Sequence, residues 1–222
     1  MDTSNNPIII DGNSGVATRA VPALLSQVLL ISSLGFFVSA VGVWLAPAFY
    51  FPGLFWVCVI ATFALIFAIR ATRKNPPLSL VLFLTLALIM GFEIAPWIQH
   101  LLHTGQTSVV FNAAVTTAVG MAVLGLGAQL FRFDYRRVAS YAFAALIGLV
   151  IVGVVSMFFH FISPTTYAYL TLLIFSVLIV VDFMRIRNGG DGATAVELAL
   201  SIYLDGLNVF LALTRIFSGS RD

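Results

Sequence analysis

Two aspartates stand inside the last two apolar stretches of this chain: Asp182 in LLIFSVLIVVDFMRI and Asp205 in ELALSIYLDGLNVFLALTRIF. A carboxylate at the middle of a membrane helix costs about 2.5–3.5 kcal/mol on insertion scales, against about 0.3–0.6 kcal/mol returned by one Leu. An acid kept at that cost is a functional-site residue by default. Two of them on consecutive helices make a pair that can share a proton. Carboxylate oxygens are also the ligands that hard cations prefer, so Asp182 and Asp205 are the candidate ion ligands.

Other polar residues cluster around the pair. Glu197, Ser201, Asp205 and Asn208 recur at steps of four, four and three, which places them on one helical face, with Thr194 extending the stripe. The opposite face is Leu198, Ile202, Val209 and Leu213. A lipid-exposed helix would not tolerate such a stripe, so this helix belongs at the centre of a bundle. The stripe reads either as an ion path or as a network of hydrogen bonds between helices. Glu93, in GFEIAPW, is a third membrane-depth acid, flanked by Gly91 and Pro96. A proline inside a helix frees a carbonyl and kinks the axis, so Glu93 is a further ion-path candidate or an acid paired for packing. Arg70 ends an apolar run in LIFAIRATRKNPP, at about the depth of Asp182. It is either an interfacial anchor or an inward-turned latch that pairs with Asp182. His100, His103 and His160 lie at the other end of the segments; His100 and His103 are three apart, but no third metal ligand accompanies them.

The elements that must position these residues follow from composition. The chain has 222 residues, 60% hydrophobic and 9% charged, with a mean hydropathy of +1.05. Soluble domains carry about 25% charge. The chain is therefore expected to be an all-α integral membrane protein, since lipid offers no partner for loops or open sheet edges. Its net charge of +2 points to no nucleic acid, and its single cysteine, Cys58, excludes an internal disulfide. Residues 1–21 lack the pattern of a cleaved signal peptide and read as a disordered tail. Seven segments reach spanning length, at 22–46, 52–70, 78–102, 109–131, 138–162, 165–187 and 194–217, and 218–222 form a short tail.

Basic residues orient the segments. With the N-terminus in the cytoplasm, Arg19, Arg70, Arg73, Lys74, Arg132, Arg136, Arg137, Arg185 and Arg187 all fall on the cytoplasmic side, nine of the eleven Lys and Arg. The three opposite loops have none, as the positive-inside rule requires. Arg215 and Arg221 fall outside if the seventh segment crosses fully, where they can snorkel at the interface. Ala144 with Gly148, and Gly120, Gly125 and Gly127, predict close helix contacts. Asn112, Thr116 and Thr117 predict hydrogen bonds between helices.

The stretches ALSIYLDGLNVFLALTRIFSG and VDFMRIRNGG resemble the closing motifs of the Bax inhibitor family, the transmembrane Bax inhibitor motif proteins. The resemblance spans all seven segments, though only the last two carry specific residues. It implies a seven-helix bundle with the last helix central between two layers of three. It also implies a pH-sensitive calcium leak channel, with Asp182 and Asp205 as the paired carboxylates and Arg70 as the arginine that locks or releases them. Ca²⁺ is then the transported ion, with no cofactor. Two departures stand out: Asp182 follows Val181 and not an aromatic residue, and Glu93 and Glu197 lie outside the family motif. Some bacterial relatives lack the acid pair and associate with a membrane protease.

Three functions therefore compete. The first is a passive cation pathway gated by the acid pair, in a bacterial inner membrane. The second is a non-conducting regulator of a membrane protease or of a stress or cell-death response. The third is an intramembrane aspartyl protease. The third expects Gly-x-Gly-Asp at the second acid, where this chain has Tyr203, Leu204, Asp205 and Gly206. No nucleotide loop, serine elbow or zinc motif points to an enzyme.

Overall fold

Seven helices account for nearly all of the chain. The computed structural model describes residues 14–49, 51, 53–130 and 133–219. The helices are α1 (Ser14–Leu45), α2 (Leu54–Ala71), α3 (Pro76–His103), α4 (Thr107–Leu130), α5 (Tyr135–Phe159), α6 (Pro164–Arg187) and α7 (Ala195–Gly219). Short 3₁₀ turns at Ala46–Phe49 and Gly190–Gly192 follow α1 and α6. All seven helices are long and apolar enough to cross a membrane. No strand occurs among the described residues. Helix α1 begins at Ser14, inside the stretch expected as a tail; the remainder of that tail, residues 1–13, lies outside the described residues, as do residues 220–222 of the expected C-terminal tail.

The starts follow local chemistry. Asn75 caps α3 by accepting from Leu78 N, with prolines in the first turn. Asp134 caps α5 through Arg136 N and Arg137 N. Ser163 caps α6 through Thr166 N, with Pro164 as the first helical residue. Helix α3 continues through Pro96 to His103.

The helices form two groups with α7 between them. Helices α1 and α2 pack on α3, α4 and α5 pack on α6, and α7 touches α1, α3, α4 and α6. In the most apolar 18-residue window of each helix, 67% of α7 is buried, against 17% of α2 and 11% of α5, which sets α7 as the core and the other two as lipid-facing rims. This is the central seventh helix that the polar stripe demands. It runs the full length of α6, since it starts beside the Gly190–Gly192 turn and a Cβ placed on Gly219 would stand 3.3 Å from Thr165 Oγ1 at the start of α6.

Close packing occurs at other glycines than those expected. Gly120 and Gly148 have nothing within 4 Å of a Cβ position, and Ala144 and Gly148 are exposed. The intimate crossing is α1 on α3. There a Cβ on Gly42 would meet Leu88 O at 2.5 Å, and one on Gly91 would collide with Ser39 O. Among Gly120, Gly125 and Gly148, Gly125 makes the tight contact, against the Phe183 ring at 2.9 Å. Nor do the polar residues of α4 link helices: Asn112 and Thr116 are exposed, and Thr117 Oγ1 donates to Ala113 O of its own helix at 2.8 Å. Residue type announces the capacity for close contact, and the facing surface decides its use.

Candidate functional site

The stripe on α7 is buried because its helix is. Asp205 is buried and Asp182, on α6, is half-buried. Helices α6 and α7 run side by side, so the two carboxyls face each other across the seam, and the Ser201 hydroxyl, one turn before Asp205, lies beside Asp182. Asp205 Oδ2 is buried and accepts no hydrogen bond from any donor among the described residues. Ionised carboxylates only accept, so a proton shared between the two would supply the missing donor. Gly206 follows Asp205 because no side chain fits there: a Cβ would meet Met121 Sδ and Phe36 Cζ, both at 2.7 Å.

The rest of the stripe divides by role. Glu197 closes a capping box: its Oε2 accepts from Thr194 N at 2.8 Å, while Glu197 N donates to Thr194 Oγ1 at 3.2 Å. The Thr-x-x-Glu spacing before an apolar run is the sequence signal for this, and it accounts for Glu197 without ion passage. Asn208 Nδ2 donates to Leu204 O of its own helix at 2.8 Å. Ser201 alone joins the acid pair. Glu93 lies apart, in the α2–α3 seam, where Thr62 Oγ1 donates to its Oε1 at 2.6 Å. That contact is the one expected of an acid paired for packing.

Arg70 is not the partner of Asp182. It is exposed and makes no ion pair among the described residues. The guanidinium whose charge acts on Asp182 is Arg185, three residues on along α6. Sequence position put Arg70 at the right depth, but the packing of α2 on α3 alone leaves it on the rim of a polar cavity of about 370 Å³. Arg73, Arg185, Asp191, Glu197 and Ser201 line the same cavity.

Asp191 was invisible to the hydropathy reading. It sits between Gly190 and Gly192 in the left-handed region, at φ 53°. Arg136 Nη2 donates to it at 2.7 Å and Tyr135 Oη at 3.0 Å, and Arg185 Nε lies 3.9 Å away. The Arg136 guanidinium, chiefly, holds the Asp191 carboxyl below the usual carboxylate range. This cluster ties α5 to the α6–α7 turn. The glycine-rich GGDG stretch signals the turn but not its partners on α5.

At the opposite end, Arg215 stacks over the Trp97 ring at 5.1 Å, and Trp97 Nε1 donates to Thr214 Oγ1 at 3.0 Å. The charge expected to snorkel is thus seated on an aromatic face. His100 stacks on Trp97 as well, at 5.9 Å between rings, and His160 caps α5. Among the described residues, no group of three or more His, Cys, Asp or Glu could hold a metal.

A family model described as "Inhibitor of apoptosis-promoting Bax1" matches residues 21–222, nearly the whole chain. This chain belongs to the Bax inhibitor family. Its relatives include an uncharacterized membrane protein of Streptococcus pyogenes serotype M3, 33% identical, with 75% of each chain covered. A Lactococcus lactis protein is 27% identical over 99% of this chain and 100% of its own. A Campylobacter jejuni protein is 25% identical over 87% of this chain and 84% of its own. Membership of the Bax inhibitor family agrees with the seven-helix architecture and with the closing motifs that carry Asp182 and Asp205.

Proposed function

We propose that this Bax inhibitor family protein is a passive cation pathway, for Ca²⁺, whose opening is set by protonation of the Asp182–Asp205 pair. It catalyses no reaction, and it lies in a bacterial inner membrane with its basic end in the cytoplasm. The observation that supports this reading is the buried Asp205 Oδ2, which has no donor and faces a second carboxyl. With one proton the pair is a hydrogen bond that draws α6 and α7 together. Without it the pair is two like charges in a medium of low dielectric, which repel. The same loss of a proton turns the pair into two anionic oxygen ligands, with the Ser201 hydroxyl beside them, which suits a hard cation. Raising the pH therefore opens the seam and creates the ion site together.

Ca²⁺ flux into proteoliposomes, followed against pH for wild type and Asp205→Asn, tests this. Wild-type flux should rise with pH, and Asp205→Asn should keep its fold while losing that rise. A wild-type pH profile retained in Asp205→Asn would overturn the proposal.

A further inference from the structure

The polar cavity at the basic end poses an electrostatic problem for a cation pathway. Its lining carries three guanidinium groups, Arg70, Arg73 and Arg185, against two carboxylates, Asp191 and Glu197. Neither acid is free to neutralise the α2 arginines. Asp191 is held by Arg136 and Tyr135 and neighbours Arg185, and one oxygen of Glu197 is held in the α7 capping box. Arg70 and Arg73 make no ion pair among the described residues. Its basic groups outnumber its acids, and an excess of one sign of charge in a cleft concentrates counter-ions of the other, so this basin favours anions over cations.

We infer that this cavity is a binding site for a phosphate group, held by Arg70 and Arg73 of α2 with Arg185 of α6. The chemistry fits: guanidinium forks match phosphate oxygens in pairs, more closely than ammonium groups do. The space fits as well, since about 370 Å³ holds a phosphate and several waters at about 30 Å³ for each water. Basic pockets between membrane helices take anionic lipid headgroups, and a free phosphate presents the same oxygens. The site also reaches the acid pair, because Ser201 lines the cavity and contacts Asp182. A bound phosphate neutralises the positive mouth of the pathway, which favours entry of a cation. That regulatory consequence rests on the proposed leak function; the binding site does not.

The test separates the two and also the two sources of phosphate. The full chain is purified from membranes containing phosphatidylglycerol and phosphatidylcholine, and retained lipid is counted by native mass spectrometry. In parallel, inorganic phosphate is titrated against the chain in phosphatidylcholine nanodiscs and followed by ³¹P line broadening. Variants are Arg70→Gln with Arg73→Gln, and Arg137→Gln as a control that removes charge at the same end outside the cavity. Retention of one phosphatidylglycerol in wild type and Arg137→Gln, reduced roughly thirtyfold in the double variant, supports the site and names a lipid. Broadening with the same pattern, without lipid retention, supports the site and names free phosphate. Binding absent in wild type, or weakened equally by Arg137→Gln, overturns it as diffuse surface charge. Flux measured on the same samples judges the leak function separately: no flux with intact binding defeats that function alone.

Discussion

The bundle buries acids in two places and treats them differently. In the α2–α3 seam, Glu93 meets one hydroxyl, Thr62, which donates at 2.6 Å. In the α6–α7 seam, Asp205 meets a second carboxyl, and its Oδ2 has no donor among the described residues. Both are acids at membrane depth, and from sequence both are ion-path candidates. What separates them is the balance of donors and acceptors. One acid with one donor is a finished structural contact. Two acids facing each other lack a donor unless a proton is shared between them, and the proposed pH gate rests on that difference.

The largest expected effect lies in the acid pair. Flux through wild type should rise by up to about tenfold per pH unit well below its midpoint, the one-proton limit, and level off above it, since one pH unit is about 1.4 kcal/mol per proton. Asp182→Asn and Asp205→Asn should each flatten this profile, and the double variant should match the singles because the proton belongs to the pair. Glu93→Gln should leave the profile in place. Strictly additive single variants, or a flattened profile in Glu93→Gln, would erase the distinction between the seams.

Removing the donor at the other seam should cost stability and not gating. Thr62→Val leaves the half-buried Glu93 without its hydrogen bond, a loss of about 1 kcal/mol. Thermal unfolding in detergent measures it, with the flux midpoint unchanged. A shifted midpoint would make Glu93 part of the gate.

A smaller effect tests Glu197. Thr194→Ala breaks the capping box and should cost about 1 kcal/mol of stability. Glu197→Gln preserves the box, since Gln serves at that position, and should leave both melting temperature and flux near wild type. Lost flux in Glu197→Gln would return this residue to the ion path.

The smallest effect belongs to Asp191. Its carboxyl is held below the usual range by Arg136, so the stability it contributes is fully present above the ordinary Asp value, about pH 4. That stability is lost as pH falls further, through the folded-state value. Melting temperatures of wild type and Asp191→Asn should therefore differ at neutral pH and converge in acid. A difference that grows in acid would contradict the assignment.

Seven spans, the asymmetry of basic residues and the burial of the seventh helix were legible in the chain itself. Each depends on one-dimensional quantities: hydropathy over about 20 residues, charge between spans, and the helical period of a polar stripe. The Asp182–Asp205 pairing was also legible, because adjacent helices joined by a short turn leave few other partners for acids at those depths. The family of the chain, too, could be read from its closing motifs.

Other assignments needed the packed molecule. Arg70, Glu93, Glu197, Asn208 and the glycines of α4 and α5 all had the right type, but type states only what a side chain is able to do. Whether it does so depends on which surface faces it, and that is decided by how helices group. Helix α2 leans on α3 and carries Arg70 to the cavity rim, leaving Arg185 as the charge beside Asp182. Helix α1 crosses α3 at Gly42 and Gly91, which leaves Gly120 and Gly148 without close neighbours. The α6–α7 turn brings Asp191 to Arg136, 55 residues away in sequence. Contacts at that separation leave no period and no motif in the chain, so only the tertiary structure could specify them.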